Sequence, residues 1–238
     1  MRATDQLGRS ATRRSAHQPT AGALPEPYLA KIAAVVERVR AARVVPVTTL
    51  DDPRQVEPTC RALVRAGLPC IEIAFRTPAA EEALVAARVV SGMLVGAGTV
   101  LSPEQAVAAA AAGADFAVSP ALNEDVVTAC RDAGLPFFPG VATPSEVDHA
   151  RMLGLTTLKL FPAQQLGGPA YIHAVAAAYR DVSFLPTGGV SLETLHGYLA
   201  ESSVVACAGS WLVKQDVLRA GRYDEVERLA REAMELAR

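Results

Sequence analysis

Short apolar runs alternate with amphipathic stretches from residue 25 to the end of the chain. Pro25 to Ala42 carries Ile32, Val35, Val36 and Val39 at helical spacing, which predicts a helix. A repeat then begins. Apolar runs of strand length cover Arg43–Thr48, Cys70–Phe75, Leu94–Val100, Phe116–Ser119, Pro136–Val141, Thr157–Pro162, Val182–Pro186 and Val204–Gly209. Helical segments separate them, near residues 53–66, from Pro78, 102–113, 124–133, from Thr143, 169–179 and from Ser191. A last helix begins near Tyr223. Ser102-Pro103-Glu104 opens its helix with an N-cap and a proline in the first turn, and Thr143-Pro144-Ser145-Glu146 has the capping-box pattern. Eight strands alternating with helices predict a single-domain α/β fold, a (β/α)8 TIM barrel with an extra N-terminal helix, over residues 25–238. An open doubly wound sheet is the competing architecture. The count of eight favours the barrel, and so do the polar residues inside several strands.

The sixth run, Thr157-Leu158-Lys159-Leu160-Phe161-Pro162, places a lysine at the centre of an apolar strand. Leu158 and Leu160 share one face, Lys159 and Phe161 the other. The chain has three lysines, Lys31, Lys159 and Lys214, against twenty arginines, and Lys159 alone is expected to be buried. A buried ammonium is costly unless paired or deprotonated. Arginine can carry a charge there but cannot release its proton, so lysine points to amine chemistry. A lysine snorkelling from a strand end is the bland alternative. On the second strand Glu72, Ala74 and Arg76 share one parity and Ile71, Ile73 and Phe75 the other. The apolar set suits the helix layer, so Glu72 and Arg76 are expected to face the axis, where they converge with Lys159. A structural Glu72–Arg76 ion pair is the competing reading.

Active sites of such barrels lie at the C-terminal ends of the strands, and the loops after strands seven and eight commonly hold phosphate. Thr187-Gly188-Gly189 follows strand seven, and Gly209-Ser210-Trp211 follows strand eight. Glycine lets backbone N–H groups approach an anion, and the hydroxyls add donors. Gly96-Ala97-Gly98 leaves room at the mouth before Thr99. An amine, a carboxylate, a cation and a phosphate seat suit imine chemistry on a phosphorylated keto compound.

The series Val44-Val45-Pro46-Val47, Glu72 with Arg76-Thr77, Gly96-Ala97-Gly98-Thr99-Val100, Lys159-Leu160-Phe161-Pro162-Ala163, Pro186-Thr187-Gly188-Gly189 and Gly209-Ser210-Trp211-Leu212 closely resembles the KDPG/KHG aldolases. These are class I 2-keto-3-deoxy-6-phosphogluconate and 4-hydroxy-2-oxoglutarate aldolases. The resemblance covers residues 30–238 in order. It implies that Lys159 is the Schiff-base lysine and Glu72 the general acid/base. It implies that Arg76 and Thr99 hold the pyruvyl carboxylate, with Arg76 also helping at the phosphate, that Thr187, Gly188, Gly189 and Ser210 form the phosphate seat, and that Phe161 and Gly209 also contact substrate. It further implies cleavage to pyruvate and glyceraldehyde 3-phosphate, no metal or other cofactor, and a cytoplasmic homotrimer. Two positions depart from the usual pattern: Gln164 stands where the family often has Glu, and Ala74 where it often has Thr. Arg76-Thr77 argues against the phosphogalactonate subtype, which tends to have Asn-Ser there. Two other classes compete: a phosphate-binding barrel isomerase or synthase without imine chemistry, and a non-enzymatic sugar-phosphate binder.

Composition narrows the partners. The net charge is −2 over 238 residues, half of them hydrophobic, which argues against nucleic acid. No apolar run is long enough to span a bilayer. Cys60, Cys70, Cys130 and Cys207 lie apart in apolar segments and read as reduced core thiols. His17, His149, His173 and His196 show no ligand spacing, and Trp211 reads as a packing residue. Residues 1–24 carry Arg2, Arg9, Arg13 and Arg14 with Asp5 as the one acid. They superficially resemble a targeting peptide and read as a disordered tail.

Overall fold

A computed structural model describes residues 24–238. The N-terminal tail expected from composition lies outside the described residues except at its end, where Leu24 is buried in the core. Helix α1 spans Glu26–Ala42. The repeat follows: β1 (Val44–Thr48), α2 (Val56–Arg65), β2 (Cys70–Ala74), α3 (Ala80–Arg88), β3 (Leu94–Gly98), α4 (Pro103–Ala111), β4 (Phe116–Val118) and α5 (Glu124–Asp132). It continues with β5 (Phe137–Phe138), β6 (Gly140–Val141), α6 (Pro144–Met152), β7 (Thr157–Leu160), α7 (Gly168–Ala178), β8 (Ser183–Pro186), α8 (Leu192–Leu199) and β9 (Cys207–Gly209). Helices α9 (Gln215–Arg219) and α10 (Tyr223–Leu236) close the chain.

All paired strands are parallel, in the orders β5-β4-β3-β2-β1-β9 and β6-β7-β8. The two sheets are one barrel. The fifth run splits at Pro139, which has no N–H to give to a ladder. Its first half pairs with β4 through Ala117↔Phe137, its second with β7 through Gly140↔Lys159. Pro139 still accepts a bond from Lys159 N–H at 2.9 Å, so the chain is handed directly from one sheet to the other. Single bridges Phe184↔Val204 and Thr187↔Ala208 close the other seam between β8 and β9. The expected eighth strand is therefore shorter, regular only from Cys207, and the fifth is a broken strand.

Local chemistry sets the helix starts. Ser102 accepts from Gln105 N–H at 3.3 Å with Pro103 behind it. Thr143 and Glu146 form the reciprocal capping box that the sequence predicts. Barrel strands are buried on both faces, and β2 and β3 have no exposed residue. The side chains of Ile71 and Ile73 join the apolar core, and the opposite parity faces the interior of the barrel. Counted around the closed order, β2 and β7 stand opposite each other. Residues on their inward faces therefore meet across the axis although they lie 87 positions apart.

Candidate active site

Lys159 and Glu72 meet in the barrel interior. The ammonium Nζ donates to Glu72 Oε1 at 3.2 Å. Lys159 is 5% exposed and Glu72 0%. Among the described residues this is the one ion pair with both side chains buried. It also decides between two readings of the sequence: the carboxylate pairs with the lysine across the barrel, not with Arg76 on its own strand. The lysine does not snorkel to solvent. Glu72 Oε2 is buried and has no hydrogen-bond partner among the described residues. A buried unpaired carboxylate oxygen is costly, and here it offers a free acceptor beside an amine.

The strand glycines make this packing possible. A Cβ on Gly98 would overlap the Glu72 carboxylate, and a Cβ on Gly96 would overlap the ring of Phe116. Thr99, directly after Gly98, has φ 57°. A β-branched residue in the left-handed region is strained. Pairing on both sides holds it there: Phe75 N–H donates to Gly98 at 2.7 Å and Val100 N–H to Val118 at 3.1 Å. Arg76 leaves the end of β2 through a tight turn, its N–H bonded to Ala74 at 2.8 Å, and its side chain is exposed.

The glycine loops lie at the same end of the barrel. Gly188 and Gly189 both have positive φ, 94° and 77°. Gln164 N–H donates to Gly188 at 3.0 Å and Ala163 N–H to Thr187 at 2.8 Å, so the loop after β8 is tied to the loop after β7. The ring of Phe161 lies against Gly188. The N–H groups of Gly189, Val190 and Ser210 have no acceptor among the described residues, while that of Gly188 faces Ala208 across the β8–β9 seam. Successive open N–H groups at Gly189 and Val190, after two glycines in the left-handed region, form a concavity suited to an anion. Trp211 packs its ring over Gly209, as expected of a packing residue, with Nε1 buried and without a partner among the described residues. His149 pairs with Glu124 and His173 with Glu201, both on the surface.

The family described as KDPG and KHG aldolase matches residues 35–229. The chain belongs to that family. It is an aldolase, a lyase of carbon–carbon bonds. The 2-dehydro-3-deoxy-phosphogluconate aldolase of Treponema pallidum (strain Nichols) is 42% identical over 203 residues, covering 85% of this chain and 97% of that protein. The KDPG aldolase of Legionella pneumophila, with pyruvate captured as a covalent carbinolamine, superposes with a TM-score of 0.80. It is 32% identical and the match covers 83% of this chain and 97% of that one. The Zymomonas mobilis ZM4 2-keto-3-deoxy-6-phosphogluconate aldolase with 3-phosphoglycerate gives 0.78 at 36% identity, over 85% and 94% of the two chains. These solved aldolases carry the same barrel architecture.

Within this aldolase, two structural contributors escaped the sequence reading. Gln164 was legible only as a departure from the family pattern. In the structure its Oε1 accepts from the buried Tyr198 hydroxyl at 2.9 Å, and its side chain fills the space a Cβ on Gly189 would need. Thr48, buried at the end of β1, donates to Val213 at 3.3 Å and pins the loop after β9. A lone threonine ending an apolar strand carries no sequence signal for that bond.

Proposed function

We propose that the protein cleaves 2-keto-3-deoxy-6-phosphogluconate between C3 and C4, giving pyruvate and glyceraldehyde 3-phosphate, with Lys159 as the imine-forming amine. The buried Lys159–Glu72 contact carries this reading. Glu72 takes a proton from the Lys159 ammonium that it faces, the freed Nζ lone pair attacks the C2 ketone to give a carbinolamine, and return of that proton to the carbinolamine hydroxyl releases water and leaves an iminium at C2. Glu72, with Oε2 open, accepts the C4 hydroxyl proton as the C3–C4 bond breaks. The bond's electron pair moves into the iminium and forms an enamine, releasing glyceraldehyde 3-phosphate as the aldehyde. The enamine takes a proton at C3, and water hydrolyses the pyruvyl imine to free the amine. The covalent carbinolamine in the Legionella relative supports this route.

Arg76 and Thr99 hold the pyruvyl carboxylate, with Arg76 also helping at the phosphate, and Phe161 and Gly209 bound the substrate. Thr187, Gly188, Gly189 and Ser210 hold the phosphate. The open N–H groups in those loops support that assignment. The phosphoglycerate in the Zymomonas relative supports a phosphorylated substrate. We assign 4-hydroxy-2-oxoglutarate, cleaved to pyruvate and glyoxylate, as a second substrate by the same steps. We also assign a cytoplasmic homotrimer on family grounds. Four buried free thiols support the first part, and light scattering in solution tests the second.

Sodium borohydride added with pyruvate tests the chemistry. Irreversible inactivation and a reduced adduct on the Lys159 peptide are expected. Lys159→Arg abolishes trapping, because a guanidinium forms no such imine. A chelator leaves turnover unchanged, since the iminium is the electron sink. Loss of activity with a chelator and no adduct would overturn the assignment.

A further inference from the structure

Above β1, β2 and β9, beside the candidate phosphate seat, a cavity of about 400 Å³ opens between Thr48, Arg76, Ser210, Lys214 and Gln215. That volume lies within the range of small-ligand sites. Its lining contains two cations and no carboxylate. Nearby surface cations are paired: Arg219 with Asp51 at 2.6 Å, and Arg222 with Glu225 at 2.7 Å. Arg76 and Lys214 have no such partner among the described residues. Two like charges facing one cavity repel unless an anion lies between them.

The cavity walls are tied together. Thr48 Oγ1 donates to Val213 at 3.3 Å and Gln215 Nε2 to Thr49 at 3.2 Å. With the Arg219–Asp51 pair, these bonds hold the loop after β1 against the loop after β9. Ser210 belongs to both spaces. It lines the cavity, and its N–H is open beside the Gly188–Gly189 loop.

We propose that Lys214 is a specificity-determining residue whose ammonium pairs with the phosphate at the far end of the substrate. This rests on the aldolase reading above. A lysine suits the task as a compact charge with three rotatable donors at a rim where phosphate arrives from solvent. The seat then has two parts: backbone N–H groups and hydroxyls after β8 and β9, and a cation on the cavity wall.

The test compares kcat/KM for 2-keto-3-deoxy-6-phosphogluconate with that for unphosphorylated 2-keto-3-deoxygluconate. In Lys214→Ala the preference for the phosphorylated substrate should fall roughly tenfold, the scale of one charge-assisted hydrogen bond. Lys214→Arg should restore most of it. Raising the salt concentration should erode the preference of the wild type more than that of Lys214→Ala. Calorimetric titration with inorganic phosphate reads the seat without chemistry, and Kd should rise by a similar factor in Lys214→Ala. An unchanged preference and an unchanged phosphate Kd in a variant with wild-type Tm would overturn the proposal. So would an equal loss on both substrates. Failure of the wild type to trap pyruvate would instead refute the aldolase reading, and the phosphate titration would still decide the role of Lys214.

Discussion

Adding one methyl group at Gly98 should disable the site without replacing a reacting residue. The backbone there lies outside the left-handed region, so alanine acts by contact and not by strain. Its Cβ would lie 2.8 Å from Glu72 Cγ and 2.9 Å from Cδ, and closer still to Oε1. Comfortable carbon–carbon separations are about 3.5–4.0 Å, so the carboxylate must retreat by roughly 1 Å. Its backbone cannot follow, because Glu72 is in register with Val47 on one side and Gly96 on the other. The retreat opens the 3.2 Å contact with Lys159 and turns Oε2 away from its working position. A displacement of that size costs on the order of 10²-fold in turnover, with about 1–3 kcal/mol of stability lost to overpacking. Pyruvate release coupled to lactate dehydrogenase gives kcat, and thermal melting reports the fold. Glu72→Gln alone should cost roughly 10²–10⁴-fold. Gly98→Ala added to Glu72→Gln should then cost little more, because both act through one carboxylate. A folded Gly98→Ala enzyme within about threefold of wild-type kcat would refute the reasoning.

Two further outcomes are expected. Ser210→Asp puts a like charge beside the bound phosphate, so the preference for phosphorylated substrate should fall at least about tenfold, or about 1.4 kcal/mol; an unchanged ratio would place the phosphate elsewhere. Burial pushes the Cys60, Cys130 and Cys207 thiols up to about 12 from an ordinary 9.0. The fold keeps these thiols protonated while the unfolded chain ionises above pH 9, so their stabilisation is intact below about pH 9 and declines as pH rises toward about 12. Each contributes about 1.4 kcal/mol per pH unit across that window. Denaturant midpoints should fall steeply above pH 9, and alkylating reagents should label the thiols only on unfolding. A midpoint flat from pH 9 to 11 would contradict the burial argument.

Parity made much of the site legible. Alternation on β2 sends Ile71 and Ile73 outward and Glu72 inward, and the same rule turns Lys159 inward on β7. The N-caps at Ser102 and Thr143 were legible because capping is a bond between near neighbours in sequence. What the sequence left open were relations between distant residues. Glu72 had two possible cationic partners, and only closure of the barrel, which sets β7 opposite β2, chooses Lys159 over Arg76. The glycines of β3 read as making room. Which side chains use that room, Phe116 at Gly96 and Glu72 at Gly98, depends on the register with β4 and β2. The break at Pro139 and the cavity wall at Lys214 were hidden for the same reason: both depend on which loop or strand lies alongside.

The Lys159–Glu72 pair is poorly explained as a stability device. Removing two charges from water costs several kcal/mol per ion, and apolar replacements of similar volume are often neutral or stabilising. This pair makes one 3.2 Å bond, and one carboxylate oxygen is left without a partner. A structural pair would be expected to use both oxygens. The surrounding chain also gives up packing to keep it, since Gly98 must stay without a side chain. Beside it, Thr99 is held at φ 57°, where a β-branched residue is strained. An unsatisfied acceptor, a glycine where packing would favour a larger residue, and a strained threonine all surround one amine. Each is a cost to the folded state alone. Together they favour a chemical role for the pair: in the proposed reaction a keto acid satisfies the open oxygen and reacts with the lysine, and the cost to the fold is what that chemistry requires.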